Sequence, residues 1–280
     1  MLLSAVLIWG GSYPAIKATQ AFFPPVAFAA FRVGVAALVL AAVGLATGAL
    51  RAALTPRDWG VVVLLGLFGN TLFHSLLVLG VHRTSPGHAA ILVALSPVLA
   101  ALLARGLYGE PVGRRRAIGI ALGFVGVALI VLRGSHSAAS LLGDALSLGA
   151  SLSWAIYTVV GKPLLARATP LAVTTWATLL GALPLLALGL PGLRAVRWAA
   201  LAPGEWLLLV YLSAGTIALA NLLWYVALAR TATSRVVAFS FLVPLVATTI
   251  AVLAGQETLS PAFVLGGLAV LAGVALAQRA

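Results

Sequence analysis

The sequence predicts an all-α integral membrane protein in which ten transmembrane helices form two inverted five-helix repeats around a central cavity. Three observations predict it: an apolar composition, ten apolar runs of spanning length, and a residue register that recurs in both halves. Of the 280 residues, 62% are hydrophobic and 8% charged, with a mean hydropathy of +1.15. That leaves too few polar side chains to clothe a soluble core.

A spanning helix needs about 20 mostly apolar residues. Runs of that kind occupy residues 2–20, 26–46, 59–80, 87–108 and 114–132, then 141–161, 170–190, 206–228, 232–254 and 261–278. The first begins near Met1 without a basic leader region or a convincing cleavage pattern, so it is read as a retained span. "FFPP" closes it and opens the second. Pro, Gly and charge separate the rest, as in "RTSPGH", "YGEPVGRRR", "RATP" and "GQETLSP". The two longest connections, "TGALRAALTPRD" and "PGLRAVRWAALAPGE", are expected to hold short interfacial helices. Pro97 and Pro244 fall inside the fourth and ninth runs, where each removes a backbone hydrogen bond and is expected to kink its helix beside the cavity.

The repeat rests on residue identity. Trp59 and Trp206, Arg83 and Arg230, Thr84 and Thr231, Pro97 and Pro244, Glu110 and Glu257, Gly119 and Gly266, and Gly126 and Gly273 are each separated by 147 residues. Nearer the front the separation is 145, pairing Trp9 with Trp154, Lys17 with Lys162 and Pro25 with Pro170. The expected units are therefore residues 1–135 and 136–280. Five helices per unit is an odd number, so the second unit must enter the bilayer from the opposite face. Inverted repeats of this kind recur in secondary transporters that alternate access to a midplane site. Basic residues orient the chain. With a cytoplasmic N-terminus, eleven of the seventeen, including Arg114, Arg115 and Arg116, lie on inner loops and helix ends against five outside, so both termini are expected in the cytoplasm.

"IWGGSYPAIKATQAFFPPVAFAAFRVGVAALVL" resembles the first two helices of the EamA group of the drug/metabolite transporter superfamily, through Trp9, Gly10, Ser12, Lys17, Pro25 and Arg32. "TSPGHAAILVALSPVLAALLARGLYGEPVGRRRAIGIALGFVGVALI" is similar to its fourth and fifth, through Pro97, Glu110, Gly119 and Gly126, and the second half repeats the pattern. The resemblance covers nearly the whole chain. It implies ten helices, inverted repeats and export of small metabolites or amino acids, with the cargo left open.

Other function classes lose support residue by residue. The net charge of +12 belongs to loops and helix ends rather than to a nucleic-acid surface. With no cysteine, disulfide and thiolate chemistry are excluded, and no metal-ligand cluster, phosphate-binding loop or catalytic motif occurs. The expectation is neither an enzyme nor a cofactor protein, with no nucleic-acid partner. Its partners are the lipid bilayer and a small-molecule substrate, and monomer and homodimer both stay open. The five acidic residues, Asp58, Glu110, Asp144, Glu205 and Glu257, are placed at helix ends, which argues against a buried carboxylate exchanging protons for cationic drugs. Glu110 and Glu257 are read as structural.

Polar and aromatic residues within the spans nominate the substrate site. Asn70 and His74 are four apart on the third helix, and Asn221, Trp224 and Tyr225 form a stripe on the eighth, with His74 and Asn221 repeat-equivalent. Trp9, Tyr13, Trp154 and Tyr157 give the first and sixth helices similar aromatic stripes. An apolar cavity with few polar groups suits an aromatic or aliphatic amino acid or another small amphipathic metabolite. His74 is the proton-sensitive candidate between about pH 5 and 8. Arg32 is expected to begin the second helix from the outer side, where it either snorkels or contacts an anionic group, and snorkelling is the favoured reading. Gly119, Gly123, Gly126, Gly266 and Gly273 are read as packing positions, within the chain or in a dimer. The favoured function is a secondary transporter exporting small metabolites, aromatic or other apolar amino acids before others, across the inner membrane by alternating access. A multidrug or nucleotide-sugar-like carrier and a non-transporting membrane receptor are the rivals.

Overall fold

A computed structural model describes residues 2–51, 54–109, 113–133, 138–230 and 242–278. Among them the chain is helical throughout, without strands. We number its rods α1 (Leu2–Thr19), α2 (Pro25–Ala46), α3 (Pro56–Arg83), α4 (Pro86–Tyr108), α5 (Arg114–Arg133), α6 (Ala138–Gly161), α7 (Pro170–Ala195), α8 (203–230), α9 (described from Leu242 to Leu253) and α10 (Pro261–Gln278). α2, α3, α4, α7 and α8 are long and apolar enough to cross a membrane. Shorter apolar stretches, Ala117–Leu129, Leu242–Leu253 and Pro261–Leu276, lie in α5, α9 and α10. Large aliphatic side chains such as Leu38, Leu45, Leu183, Leu188, Leu207 and Leu253 point outward, as a lipid-facing surface requires. Among the described residues the two long connections hold single 3-10 turns, Ala49–Arg51 and Trp198–Ala200.

The helix starts follow from local chemistry. Thr55, Thr169, Ser85 and Ser260 each precede a proline, which has no N–H to lose and a φ already suited to the first turn. The hydroxyl of each accepts a backbone N–H three residues on: Asp58 at 3.2 Å, Ala172 at 3.2 Å, His88 at 3.3 Å and Phe263 at 3.1 Å. At α3 the Asp58 carboxylate reaches back to the Thr55 N–H at 3.0 Å, completing a capping box.

Three rods depart from a plain α-helix in mid-span. α4 breaks after Val93 and resumes at Ser96, with Pro97 in the first turn of its second piece. α3 and α8 each widen into a π-helix, over Gly66–Leu72 and Tyr211–Leu219. The two π segments overlap at the 147-residue separation.

Packing pairs α5 with α10, α2 with α7, α3 with α6 and α1 with α9. At the α5/α10 seam a methyl on Gly126 would stand 2.6 Å from the Gly266 carbonyl oxygen, and one on Gly273 would stand 2.6 Å from the Gly119 carbonyl oxygen. The backbones touch there because these positions lack a Cβ. Gly126 meets Gly266 and Gly273 meets Gly119, so the two helices run antiparallel. This glycine stripe closes within a single chain.

Candidate functional site

At mid-span α1, α3, α6 and α8 bring their aromatic residues into one continuous cluster. The Trp9 ring lies 5.7 Å from Trp154, edge to face, and 5.1 Å from Trp224. Trp154 continues to Phe73 at 4.9 Å and to Tyr157 at 5.2 Å, and Tyr157 continues to Tyr225 at 5.2 Å. These are the separations at which rings attract beyond the area they bury. Two glycines make room: a methyl on Gly69, in the π segment of α3, would lie 2.2 Å from the Tyr157 ring, and one on Gly161 would lie 2.8 Å from the Tyr225 hydroxyl.

Polar groups border this cluster toward α2. The Trp9 indole N–H donates to the Thr216 carbonyl at 3.0 Å, inside the π segment of α8. Arg32 donates from Nε to the Leu212 carbonyl at 3.1 Å and from Nη2 to the Thr216 hydroxyl at 2.7 Å. Tyr211 donates to the Ile8 carbonyl at 2.6 Å. Tyr13, His74 and Tyr211 all lie within reach of the Arg32 charge. His74 is buried with its ring 4.9 Å from Phe73, and neither ring nitrogen has a hydrogen-bond partner among the described residues. The same holds for Asn70 Oδ1 and Arg32 Nη1. Buried polar groups are costly when unpaired, and sites that bind polar ligands are where such groups accumulate.

Comparison with known proteins decides the family. The profile of the EamA-like transporter family matches residues 1–132 and again residues 141–278. This chain belongs to the EamA-like transporter family. Over 282 residues it is 28% identical to "Uncharacterized transporter YyaM" of Bacillus subtilis (strain 168), covering 99% of this chain and 92% of that one. It is 30% identical over 281 residues to "Probable terminal-alkyne amino-acid exporter" of Streptantibioticus cattleyicolor, with coverages of 99% and 92%. A solved crystal structure superposes with a TM-score of 0.70 at 25% identity, covering 99% of this chain and 96% of that one. The EamA-like transporter is thus a multi-pass membrane protein of a transporter family.

Most of the sequence-nominated residues of this EamA-like transporter converge. Trp9, Trp154, Tyr157, Trp224 and Tyr225 share the ring cluster, and Tyr13 and His74 border it at Arg32. Asn70 is buried, with its Cβ beside Gly181 of α7. Asn221 is buried at the start of the last piece of α8. Pro244 is buried near the described start of α9, and the chain before it lies outside the described residues. Among the described residues an open cavity of about 210 Å³ lies at the helix ends, beside Thr84, Ser85, His88 and Glu257.

Two expectations are corrected. Arg32 does not snorkel: it is 2% exposed, and its hydrogen bonds run sideways into α8 because the π segment presents an acceptor carbonyl and a hydroxyl there. Asp144 is not at a helix end. α6 starts at Ala138, which puts Asp144 nearly two turns inside, buried, accepting from the Thr84 hydroxyl at 2.8 Å and 3.7 Å from His88. Asp58 and Glu205 do cap helix starts, and Glu257 accepts the Gly87 N–H at 2.8 Å and the Ser85 hydroxyl at the start of α4. Glu110 lies outside the described residues. Sequence reasoning missed Thr216, Tyr211 and Phe73 as neighbours of the site. Only Thr216, a hydroxyl in an apolar span, carried a signal.

Proposed function

We propose that this protein is a secondary transporter that exports aromatic or other apolar amino acids across the inner membrane by alternating access, with both termini cytoplasmic. The observation that carries the reading is the continuous aromatic cluster joining α1 and α3 of the first half to α6 and α8 of the second, bordered by unpartnered buried polar groups. Amino acids with apolar side chains need that combination, since rings receive the side chain while a few polar groups fix the charged end. In this reading Trp9, Tyr13, Asn70, His74, Trp154, Tyr157, Asn221, Trp224 and Tyr225 contact substrate, while Pro97 and Pro244 let α4 and α9 bend.

Units 1–135 and 136–280 act as inverted halves. The reciprocal contacts at α5 and α10 support this: Gly126 meets the repeat mate of Gly119, and Gly119 meets the repeat mate of Gly126. A two-fold axis makes contacts of that reciprocal kind. The antiparallel crossing supports an axis lying across the helices, as in-plane inversion requires. The relative named as an amino-acid exporter supports the substrate class.

Proteoliposomes preloaded with unlabelled phenylalanine or leucine should take up the labelled amino acid by counterflow without any nucleotide. Strict dependence on ATP, or uptake no greater than in protein-free vesicles for every apolar amino acid, contradicts the proposal.

A further inference from the structure

We infer that Arg32 is the anion anchor of the central site, binding a carboxylate of the transported molecule through its free Nη1 face. Three observations carry this. The first is charge: a guanidinium buried to 98% at mid-bundle needs a counter-charge, because stripping water from an unpaired cation is costly. None of the four described acidic residues supplies it. Asp58 pairs with Arg167 at 2.8 Å, Glu205 and Glu257 cap helix starts, and Asp144 accepts from Thr84. The second is geometry. Nε and Nη2 are fixed by Leu212 and Thr216, leaving Nη1 without a partner among the described residues, and Thr216 also accepts the Trp9 indole N–H. The guanidinium is therefore held rigid beside the aromatic cluster with one donor edge to spare. Arginine's planar fork matches a carboxylate, and such charge-assisted bonds are among the strong ones.

The third observation separates recognition from scaffolding. At the 145-residue separation the repeat mate of Arg32 is Ala177. α7 packs on the π segment of α3 as α2 packs on the π segment of α8. There a methyl on Gly66 would lie 2.9 Å from the Ala177 carbonyl oxygen, so backbone and a small side chain make that contact. The packing does not require an arginine, and the half that has one carries the charge selectivity. One cation in one half also gives a pseudo-symmetric site a single polarity, with the carboxylate toward α2 and the apolar group among the rings of Trp9, Trp154 and Trp224.

The inference rests on the transporter reading for a small cargo, but not on that cargo being an amino acid. The test is binding to the purified protein of four probes, phenylalanine, 3-phenylpropionate, 3-phenylpropanamide and phenethylamine, followed by tryptophan fluorescence and thermal shift. The wild type should favour 3-phenylpropionate over its amide by roughly 10- to 150-fold, the range for hydrogen bonds to a charged group. Arg32→Gln should erase that preference, and Arg32→Lys should keep it in reduced form. Equal binding of acid and amide, a preference that survives in Arg32→Gln, or failure of both acids to bind overturns the anchor. The acid-to-amide ratio on wild type and Arg32→Lys stands even where Arg32→Gln does not fold. Arg32-dependent binding of 3-phenylpropionate without counterflow of any amino acid sustains the anchor and removes the amino-acid reading. Amino-acid counterflow with acid and amide bound alike removes the anchor and sustains that reading.

Discussion

Gly69→Ala is the smallest change that reaches the aromatic cluster. The new methyl would sit 2.2 Å from Tyr157 Cδ2 and 2.6 Å from both Cε2 and Cγ. Carbon atoms settle at about 3.5–4.0 Å, so the ring must retreat by more than about 1 Å. It has nowhere to go. Tyr157 is 1% exposed, with Trp154 and Tyr225 each 5.2 Å away and the Tyr225 hydroxyl already close to Gly161. Overpacking of this kind costs about 1–3 kcal/mol. We expect a lower melting temperature and, if the ring is part of the substrate site, roughly 5- to 150-fold weaker phenylalanine binding. Gly60→Ala is the control on the same helix, since a methyl there meets nothing within 4 Å. Tyr157→Leu should relieve the clash, so that Gly69→Ala costs less in that background. Equal melting temperature and affinity for Gly69→Ala and Gly60→Ala would refute the packing argument.

Two further outcomes follow from the same structure. Gly126→Ala places a methyl against the Gly266 carbonyl and the Val270 N–H, neither of which can swing aside, so α5 and α10 must separate. Its melting temperature should fall more than that of Gly106→Ala, where nothing lies within 4 Å, and equal values count against the glycine seam. Asp58→Ala should cost about 1–2 kcal/mol through the lost cap, whereas Arg167→Ala, at 57% side-chain exposure, should cost at most about 1 kcal/mol. Denaturation of the two variants in one detergent compares them, and a larger cost for Arg167 contradicts the assignment.

The helix plan was legible because the bilayer imposes it. Apolar length marks the rods, and a hydroxyl followed by proline marks four of their starts. The glycine spacing announced a close helix contact, while its location inside the chain needed three-dimensional information. The π segments left no trace, since an extra residue in a uniformly apolar turn changes no hydropathy pattern. Arg32 was misread because its partners, Leu212 and Thr216, are 180 and 184 residues away. A lone arginine seven residues into a span reads the same whether it rises to the headgroups or crosses to a neighbour. Of the ring cluster, only Trp9 and Trp154 are repeat-equivalent, and they meet edge to face where α1 and α6 come together.

The proposed alternating access requires the second half of the chain to enter the bilayer from the face opposite to the first. The chain has no cysteine, so a single one can be introduced at Ala21, just after α1, or at Ala166, just after α6, both exposed. In sealed right-side-out vesicles a membrane-impermeant thiol reagent should label Ala21→Cys from outside and leave Ala166→Cys unmodified until the vesicles are opened. Labelling of both from the same side would contradict the inverted architecture.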